Sequence, residues 1–403
     1  MKLKKWLVLA VALMMVIGLL AGCGGGTDEP GGDGEMPALV KIGFMGPITG
    51  ANAAEGSAAR NAFQLVFDQA NAAGTLPYEV KVVAMDDASK PEAGASAAQK
   101  LVADPEVIAI SGHWNSPVAE ATIPICKSAG IPLLIWGAIG TNLTNADNYP
   151  YITRICPTDV QENQPLAQKV IEELGYKNFY IISDTTSYGK SNTAAFQAEL
   201  ANYEGATVVG LDEVQTGTTD FRPILSKVKS AKPDAVFFGG VSLEGGLVAR
   251  QMEELGMNDI LLCGISGICS EDFITAAGNK AAEGTYSIKP GTDPTKTEAG
   301  QKFLADYAAA GFTEPVGAFT PYAYHAAQVI LAALESIEGA PTAEKMVDAI
   351  AHVDMTGLLG HTTFDEVGQT TEPMVYSLVV QDGAWVPWED SEYAAGTRTL
   401  PTK

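Results

Sequence analysis

Short β-type runs alternate with segments of helical period from residue 40 onward, and this alternation constrains the fold more than any other feature. Val40-Lys-Ile-Gly-Phe-Met45 closes on Gly46-Pro47. A helical stretch follows over 53–73, with Ala62, Leu65, Val66 and Gln69 at helical spacing and Gly74 placed to stop it. Next come a strand at 79–85, a helix at 91–103, a strand at 107–110, a helix at 117–129 and a strand at 132–135. Helices of this length between strands return the chain to the same end of a sheet. The pattern therefore predicts βαβ units and a parallel sheet covered on both faces.

After a loop rich in Asn, Thr and Pro the series restarts. A helix over 162–174 puts Leu166, Val170 and Leu174 on one face, with Gly175 behind it. Strands at 179–183, 207–212, 235–238 and 260–263 are separated by helices near 188–203, 220–230 and 243–255. A mostly apolar helix at 322–337 and a β-rich tail at 374–380 and 384–386 complete the chain. At 403 residues the sequence has length for two lobes. The fold class is thus α/β, with two doubly wound units in which element order, but no close sequence repeat, recurs.

The N-terminus sets the compartment. Lys2, Lys4 and Lys5 precede an almost unbroken apolar run from Trp6 to Leu20, which ends at Leu20-Ala21-Gly22-Cys23. An uncleaved membrane anchor is the competing reading, but the small residues at the end favour a cleaved secretory signal over 1–22. The ending looks like a bacterial lipobox, which makes Cys23 the lipid-modified first residue of the mature chain. Residues 23–37 are Gly-rich and without apolar period, a flexible tether. The rest is expected to be extracytoplasmic and held to the membrane by lipid.

With 25 Lys and Arg against 48 Asp and Glu, the net charge of −23 repels phosphate backbones and argues against a nucleic-acid partner. Five cysteines are too few for a disulfide scaffold. Cys263 and Cys269 are candidates for a disulfide, and Cys126 and Cys156 for buried thiols; sequence does not give the connectivity.

No catalytic constellation emerges. Asp184-Thr-Thr-Ser-Tyr-Gly189-Lys190-Ser191 has the setting of a phosphate loop, but a carboxylate stands where that motif needs Gly. His113, His325, His352 and His361 show no metal-ligand spacing. Gly264-Ile-Ser266-Gly267 lacks the pattern of a nucleophile elbow. Asp86-Asp87 is better suited to a loop or cap than to paired acid–base work, because neighbours on a strand face opposite ways. Neither metal nor cofactor is predicted, and a hydrolase reading lacks its nucleophile and base.

Polar clusters do follow the strands, where open α/β sheets bind ligands. They are Gly46 to Glu55, Gly112-His-Trp-Asn-Ser116, Trp136 to Thr141, and Asp184 to Gly189. Trp114, Trp136 and Tyr188 are candidates for a pocket wall or for core aromatics. Contributions from both halves predict a cleft between lobes.

These clusters belong to a wider resemblance. Lys41-Ile-Gly-Phe-Met-Gly-Pro-Ile-Thr-Gly, Asp86-Asp87 with Pro91, Gly112-His113 with Ser116, and Asp184 with Tyr188-Gly189 come in order. Asp220-Phe221, Gly239-Gly240, Ala281-Ala-Glu-Gly284, Gly317-Ala-Phe319 with Tyr324, and Phe364-Asp365-Glu follow. Over roughly 40–386 the sequence resembles the leucine/isoleucine/valine-binding proteins, type I periplasmic receptors of branched-chain amino-acid ABC importers. The resemblance implies two Rossmann-like lobes joined by three crossovers that hinge shut on a ligand. It divides the chain into 38–157 plus 286–361 and 158–285 plus 362–395, with hinges near 156–158, 283–287 and 360–363.

By that resemblance Ser116 donates to a ligand carboxylate, and Ala138 and Thr141 give backbone and hydroxyl contacts to its polar head. Tyr188 closes the pocket from the second lobe, and Trp114 and Phe319 meet the ligand's side chain. The departures bear on the ligand. Ser266 stands where the family commonly has an acid for the α-ammonium, and Val241 where a tyrosine is common. Glu55 stands where an aromatic is common, so Glu55 is the expected replacement acid; its other reading is a solvated residue in a first helical turn. A cysteine pair of some members is absent, with Ser89 and Asn115 in its place. The expected function is capture of a hydrophobic amino acid or similar small carboxylate and delivery to permease subunits, by a monomer without enzymatic activity. A sensor of the same fold, and a receptor for an amide or aromatic acid, are the alternatives.

Overall fold

A parallel sheet buried on both faces demands near-continuous apolar strands, and β3 (Val107–Ser111), with every residue buried, is one. The computed structural model describes residues 36–401; the predicted signal segment, Cys23 and most of the tether lie outside them. Five parallel strands form the first sheet in the order β2-β1-β3-β4-β5. The others are β1 (Leu39–Gly46), β2 (Glu79–Asp86), β4 (Leu133–Ile135) and β5 (Ile152–Arg154). Helix Ala53–Ala73 ends at Gly74, whose φ of 64° lets its N–H reach the Asn71 carbonyl and the next N–H, of Thr75, the Ala70 carbonyl. That helix packs on Thr320–Ser336, and Pro91–Val102 packs on Ser116–Ser128.

The second sheet has the order β14-β13-β10-β9-β8-β6-β7. Its parallel strands are β6 (Asn178–Asp184), β7 (Thr207–Val214), β8 (Ala235–Gly239), β9 (Leu261–Gly264) and β10 (Tyr286–Pro290). Alternate residues serve opposite faces: Ile181 and Phe237 enter one apolar cluster, Ile182 and Phe238 another. A short antiparallel pair, β11 (Met355–Gly357) and β12 (Gly360–Thr362), stands apart. The antiparallel hairpin β13 (Val375–Gln381) and β14 (Ala384–Pro387) is added to β10. It turns at Asp382-Gly383, both at positive φ, the geometry a two-residue hairpin needs.

Two lobe boundaries move. Tyr286 was expected to begin the return to the first lobe, yet β10 pairs with both β9 and β13 of the second sheet. The expected hinge at 283–287 is therefore inside the second lobe, and the chain leaves it only after Pro290. It was also expected to re-enter at 362. Instead Arg154 and Gln369 form a bridge at the edge of the first sheet, and re-entry comes at Val375. The helix expected over 162–174 starts earlier, at Asp159. A capping box sets that start: Thr158 Oγ1 accepts from Gln161 N (3.1 Å) and Thr158 N donates to Gln161 Oε1 (2.8 Å). Cys126, Cys156, Cys263 and Cys269 are all free and buried, so the candidate disulfide between Cys263 and Cys269 is not formed. The Cys269 thiol instead lies 2.9 Å from Ser287 Oγ, and burial pushes it up to about 12. Among the described residues no helix is long and apolar enough to cross a membrane.

Candidate functional site

The first wall is built where β3 and β4 end. Asn115 stays extended ahead of helix Ser116–Ser128, whose first turn carries Pro117 and so needs one donor fewer satisfied. Ser116 Oγ accepts from Gly140 N at 3.1 Å, tying the helix start to the loop after β4. Arg154, completely buried, shapes that loop from beneath. Its guanidinium donates to the carbonyls of Ala138 (3.2 Å) and Gly140 (2.6 Å), to Thr144 Oγ1 (3.0 Å) and to Gln369 Oε1 (2.7 Å). Trp136, one of the two tryptophans expected as wall candidates, is core. It is fully buried, stacks on Phe44 with ring centres 5.7 Å apart, and donates to the Met45 carbonyl.

The second wall comes from β6, β8 and β9. Asp184 Oδ1 accepts from Thr186 N (2.8 Å), and Thr186 Oγ1 accepts from Gly189 N, so the loop amides already serve the chain's own oxygens. A phosphate would meet this carboxylate, which rules out the phosphate-loop reading. Tyr188 lies against the turn Ser266–Ile268. A Cβ on Gly267 would stand 2.2 Å from the Tyr188 hydroxyl and 2.7 Å from the Gly240 carbonyl, so no larger residue fits there.

Between the walls lies a narrow cavity of about 30 Å³. Trp114, Asn115, Ser116, Gly137, Ile139 and Phe319 line it from the first lobe, and Tyr188, Val241, Ser266 and Gly267 from the second. Of the expected ligand contacts, Trp114, Asn115, Ser116, Tyr188, Ser266 and Phe319 meet there. Ala138, Thr141 and Glu55 do not line it. Ala138 is wholly buried with its carbonyl on Arg154, and its neighbours Gly137 and Ile139 line the cavity in its stead. The Thr141 hydroxyl donates to Asp159. A wider opening of about 190 Å³, also bounded by Trp114, takes in Glu55, Asp272 and Lys289.

Glu55 does not carry the role expected of a replacement acid. Its Oε1 accepts from Phe319 N (2.8 Å) and its Oε2 from Ala318 N (3.1 Å), so it caps helix Thr320–Ser336. Asp86 and Asp87 also diverge. Asp86 holds the amides of Ile48, Thr49 and Ala88, and Asp87 meets His113 Nδ1 at 2.7 Å, out of solvent.

The acid that sequence reasoning missed is Glu162. It is completely buried, and its Oε2 accepts from Ser266 N at 3.0 Å. Its Oε1 has no hydrogen-bond partner among the described residues. Burial pushes its carboxyl up to about 8, against the hydrogen bonds from Ser266. Asp159, one helical turn earlier, takes the hydroxyls of Thr141 and Ser191. The signal in the sequence was the capping box Thr158-Asp-Val-Gln161, which places Asp159 and Glu162 in one first turn. Among the described residues no group of three His, Cys, Asp or Glu could hold a metal ion.

The family model described as a periplasmic binding protein matches residues 39–384. The Leu/Ile/Val-binding protein BraC3 of Rhizobium johnstonii is 33% identical over 336 residues, covering 83% of this chain and 89% of the relative. Leu/Ile/Val-binding protein homolog 3 of Brucella melitensis is 30% identical over 354 residues, 87% and 94% of the two chains. Among solved structures, the branched-chain amino acid transporter substrate binding protein LivJ of Streptococcus pneumoniae, in complex with isoleucine, superposes with a TM-score of 0.78. It is 26% identical, and the match covers 87% of this chain and 99% of LivJ. Two α/β sheets facing one cavity, a family match across both, and relatives of this identity agree: the chain belongs to the leucine/isoleucine/valine-binding protein family of periplasmic solute-binding proteins.

Proposed function

We propose that the protein is the receptor subunit of an ABC importer, lipid-tethered at Cys23, which captures a branched-chain or other hydrophobic amino acid, or a similar small carboxylate, and delivers it to the permease. The observation that carries this reading is the cavity lined from both lobes at the carboxyl ends of their strands. The Ser116 hydroxyl and the amide end of its helix suit a carboxylate. Trp114, Ile139, Tyr188 and Phe319 suit an apolar side chain. A ligand touching both walls stabilises the arrangement in which the lobes meet, and its differential affinity drives closure. The crossovers that absorb the motion are residues 155–158, 291–297 and 371–374. A second reading, an aromatic carboxylate, draws on the three rings around the cavity.

Calorimetry with branched-chain and aromatic amino acids, their amides and aromatic acids tests the reading, joined to small-angle scattering with and without the best binder. Saturable binding with a smaller radius of gyration supports it. Absence of binding by every class counts against it. Anchoring is tested by Cys23→Ser, which should move the protein from the membrane fraction to the soluble one.

A further inference from the structure

We infer that Gln369 is a positioning residue which couples the cavity to the hinge: its side chain ties the loop after β4 to the first crossover and to the segment leading into the third, so that a solute touching the loop moves both. The inference rests on the reading of this cavity as a solute site and adds the means by which contact there reaches the hinge.

The path runs through four hydrogen bonds. Ser116 faces the cavity, and its Oγ accepts from Gly140 N at 3.1 Å. The Gly140 carbonyl accepts from Arg154 Nη1 at 2.6 Å. Arg154 Nε donates to Gln369 Oε1 at 2.7 Å, and Gln369 Nε2 donates to the Cys156 carbonyl at 2.9 Å. Cys156 lies in the first crossover, and Gln369 stands just ahead of the third. Arg154 and Cys156 are wholly buried and Gln369 nearly so, which keeps these bonds out of solvent.

The amide is matched to its place. A guanidinium only donates and a backbone carbonyl only accepts, so the position needs an acceptor and a donor side by side. Glutamine has both, whereas glutamate has no donor for Cys156 and leucine has neither group. The guanidinium is a rigid plane that fixes the loop relative to the amide. In packing this dense, Gly140 cannot shift without moving Arg154, nor Arg154 without drawing on Gln369. A shorter link joins the Ile139 carbonyl to Asp159 N at 2.9 Å, but it reaches only the end of the first crossover. Backbone bonds of Arg154 with Gly368 and Thr370 seat the later segment at the sheet edge, and the Gln369 side chain adds its tie to the loop.

Hydrogen exchange of the ligand-free protein tests the coupling, read at the Thr370 and Thr371 amides, which are bonded to Arg154 and Thr363. Ser116→Ala cuts the path at the cavity. It should speed exchange at these amides more than about threefold, above the scatter of independent sites, while amides of the second sheet stay as they were. In a Gln369→Leu background the same substitution should have no further effect there. In Gln369→Glu, which keeps the acceptor for Arg154, the response should return. No response to Ser116→Ala, an equal response with Gln369→Leu, or none with Gln369→Glu overturns the inference. Should Gln369→Leu fail to fold, the responses in wild type and Gln369→Glu still decide, and absence of either overturns it. Calorimetry with L-leucine adds the functional readout: Gln369→Leu should weaken binding about three- to tenfold, the scale of one lost hydrogen bond, although Gln369 does not line the cavity. Unchanged affinity overturns the coupling and leaves the solute site standing. Failure of wild type to bind L-leucine counts against the amino-acid reading instead, and exchange then decides the coupling by itself.

Discussion

Glu55 Oε1 accepts the backbone N–H of Phe319 at 2.8 Å, across 264 residues of sequence. This one bond fixes the start of the second-longest described helix against the start of the longest, and sets Phe319 at the cavity wall. Glu55→Ala should therefore act as the loss of a helix cap, lowering stability by about 1–2 kcal/mol in denaturant titration. Amino acids and their oxo analogues should lose affinity alike. A selective loss of amino acids would give Glu55, not the cap, direct contact with an ammonium.

Arg154 is the harder residue to replace. Arg154→Met keeps most of the volume but strands the carbonyls of Ala138 and Gly140 out of water. The expected cost is about 3–5 kcal/mol, that of breaking a buried charged network. Lys cannot reproduce the fork. Thermal unfolding measures the loss, and stability unchanged by Arg154→Met would refute the support assigned to this side chain.

The pH dependence follows from Glu162. The groups that bear on it or on which it bears are Asp159 on its own helix, Tyr188 on the next, Cys156 in the first crossover, Cys269 after β9 and Tyr322 on Thr320–Ser336. Its carboxyl titrates near 8 in the folded chain and near 4.5 when unfolded. The folded state therefore holds the proton over that window, and stability falls as pH rises from 4.5 towards 8, then levels off. Melting curves between pH 4 and 9 should show this slope, flattened in Glu162→Gln. Equal slopes in both proteins would contradict the buried carboxyl.

Gly267→Ala should displace Tyr188, because the added methyl would stand 2.2 Å from its hydroxyl. Affinity for any ligand of the cavity should fall at least about tenfold, with a smaller effect on stability, since such overpacking typically costs about 1–3 kcal/mol. Titration calorimetry gives the first quantity and denaturant unfolding the second. Wild-type affinity would mean that Tyr188 has no part in closing the site.

Local signals in the sequence carried the helix at Ala53–Ala73 and the strand order within each βαβ series, because period and turn chemistry act over a few residues. Long-range partners carried what was missed. β10 is five residues ending in Pro290, and only its neighbours β9 and β13 make it a strand. Ala138 turns inward, with Gly137 and Ile139 at the cavity, because Arg154 and Gln369, 215 residues apart, hold the loop after β4. Glu162 was passed over because the helix was read from its apolar stripe, which begins at Leu166, and not from its cap. Its significance appears only when Ser266, 104 residues later, comes to rest against it.

The pairing of helix Ala53–Ala73 with Thr320–Ser336 also sets a timetable for synthesis. All five strands of the first sheet have been made by Arg154, yet the helix that seals its first one is among the last to be translated. Until then the flank of helix Ala53–Ala73 that faces Thr320–Ser336 has no cover. The nascent lobe cannot close early, and it offers apolar surface to a holding chaperone for most of its elongation. The consequence is a first sheet that stays open to being pulled apart until the chain is nearly complete.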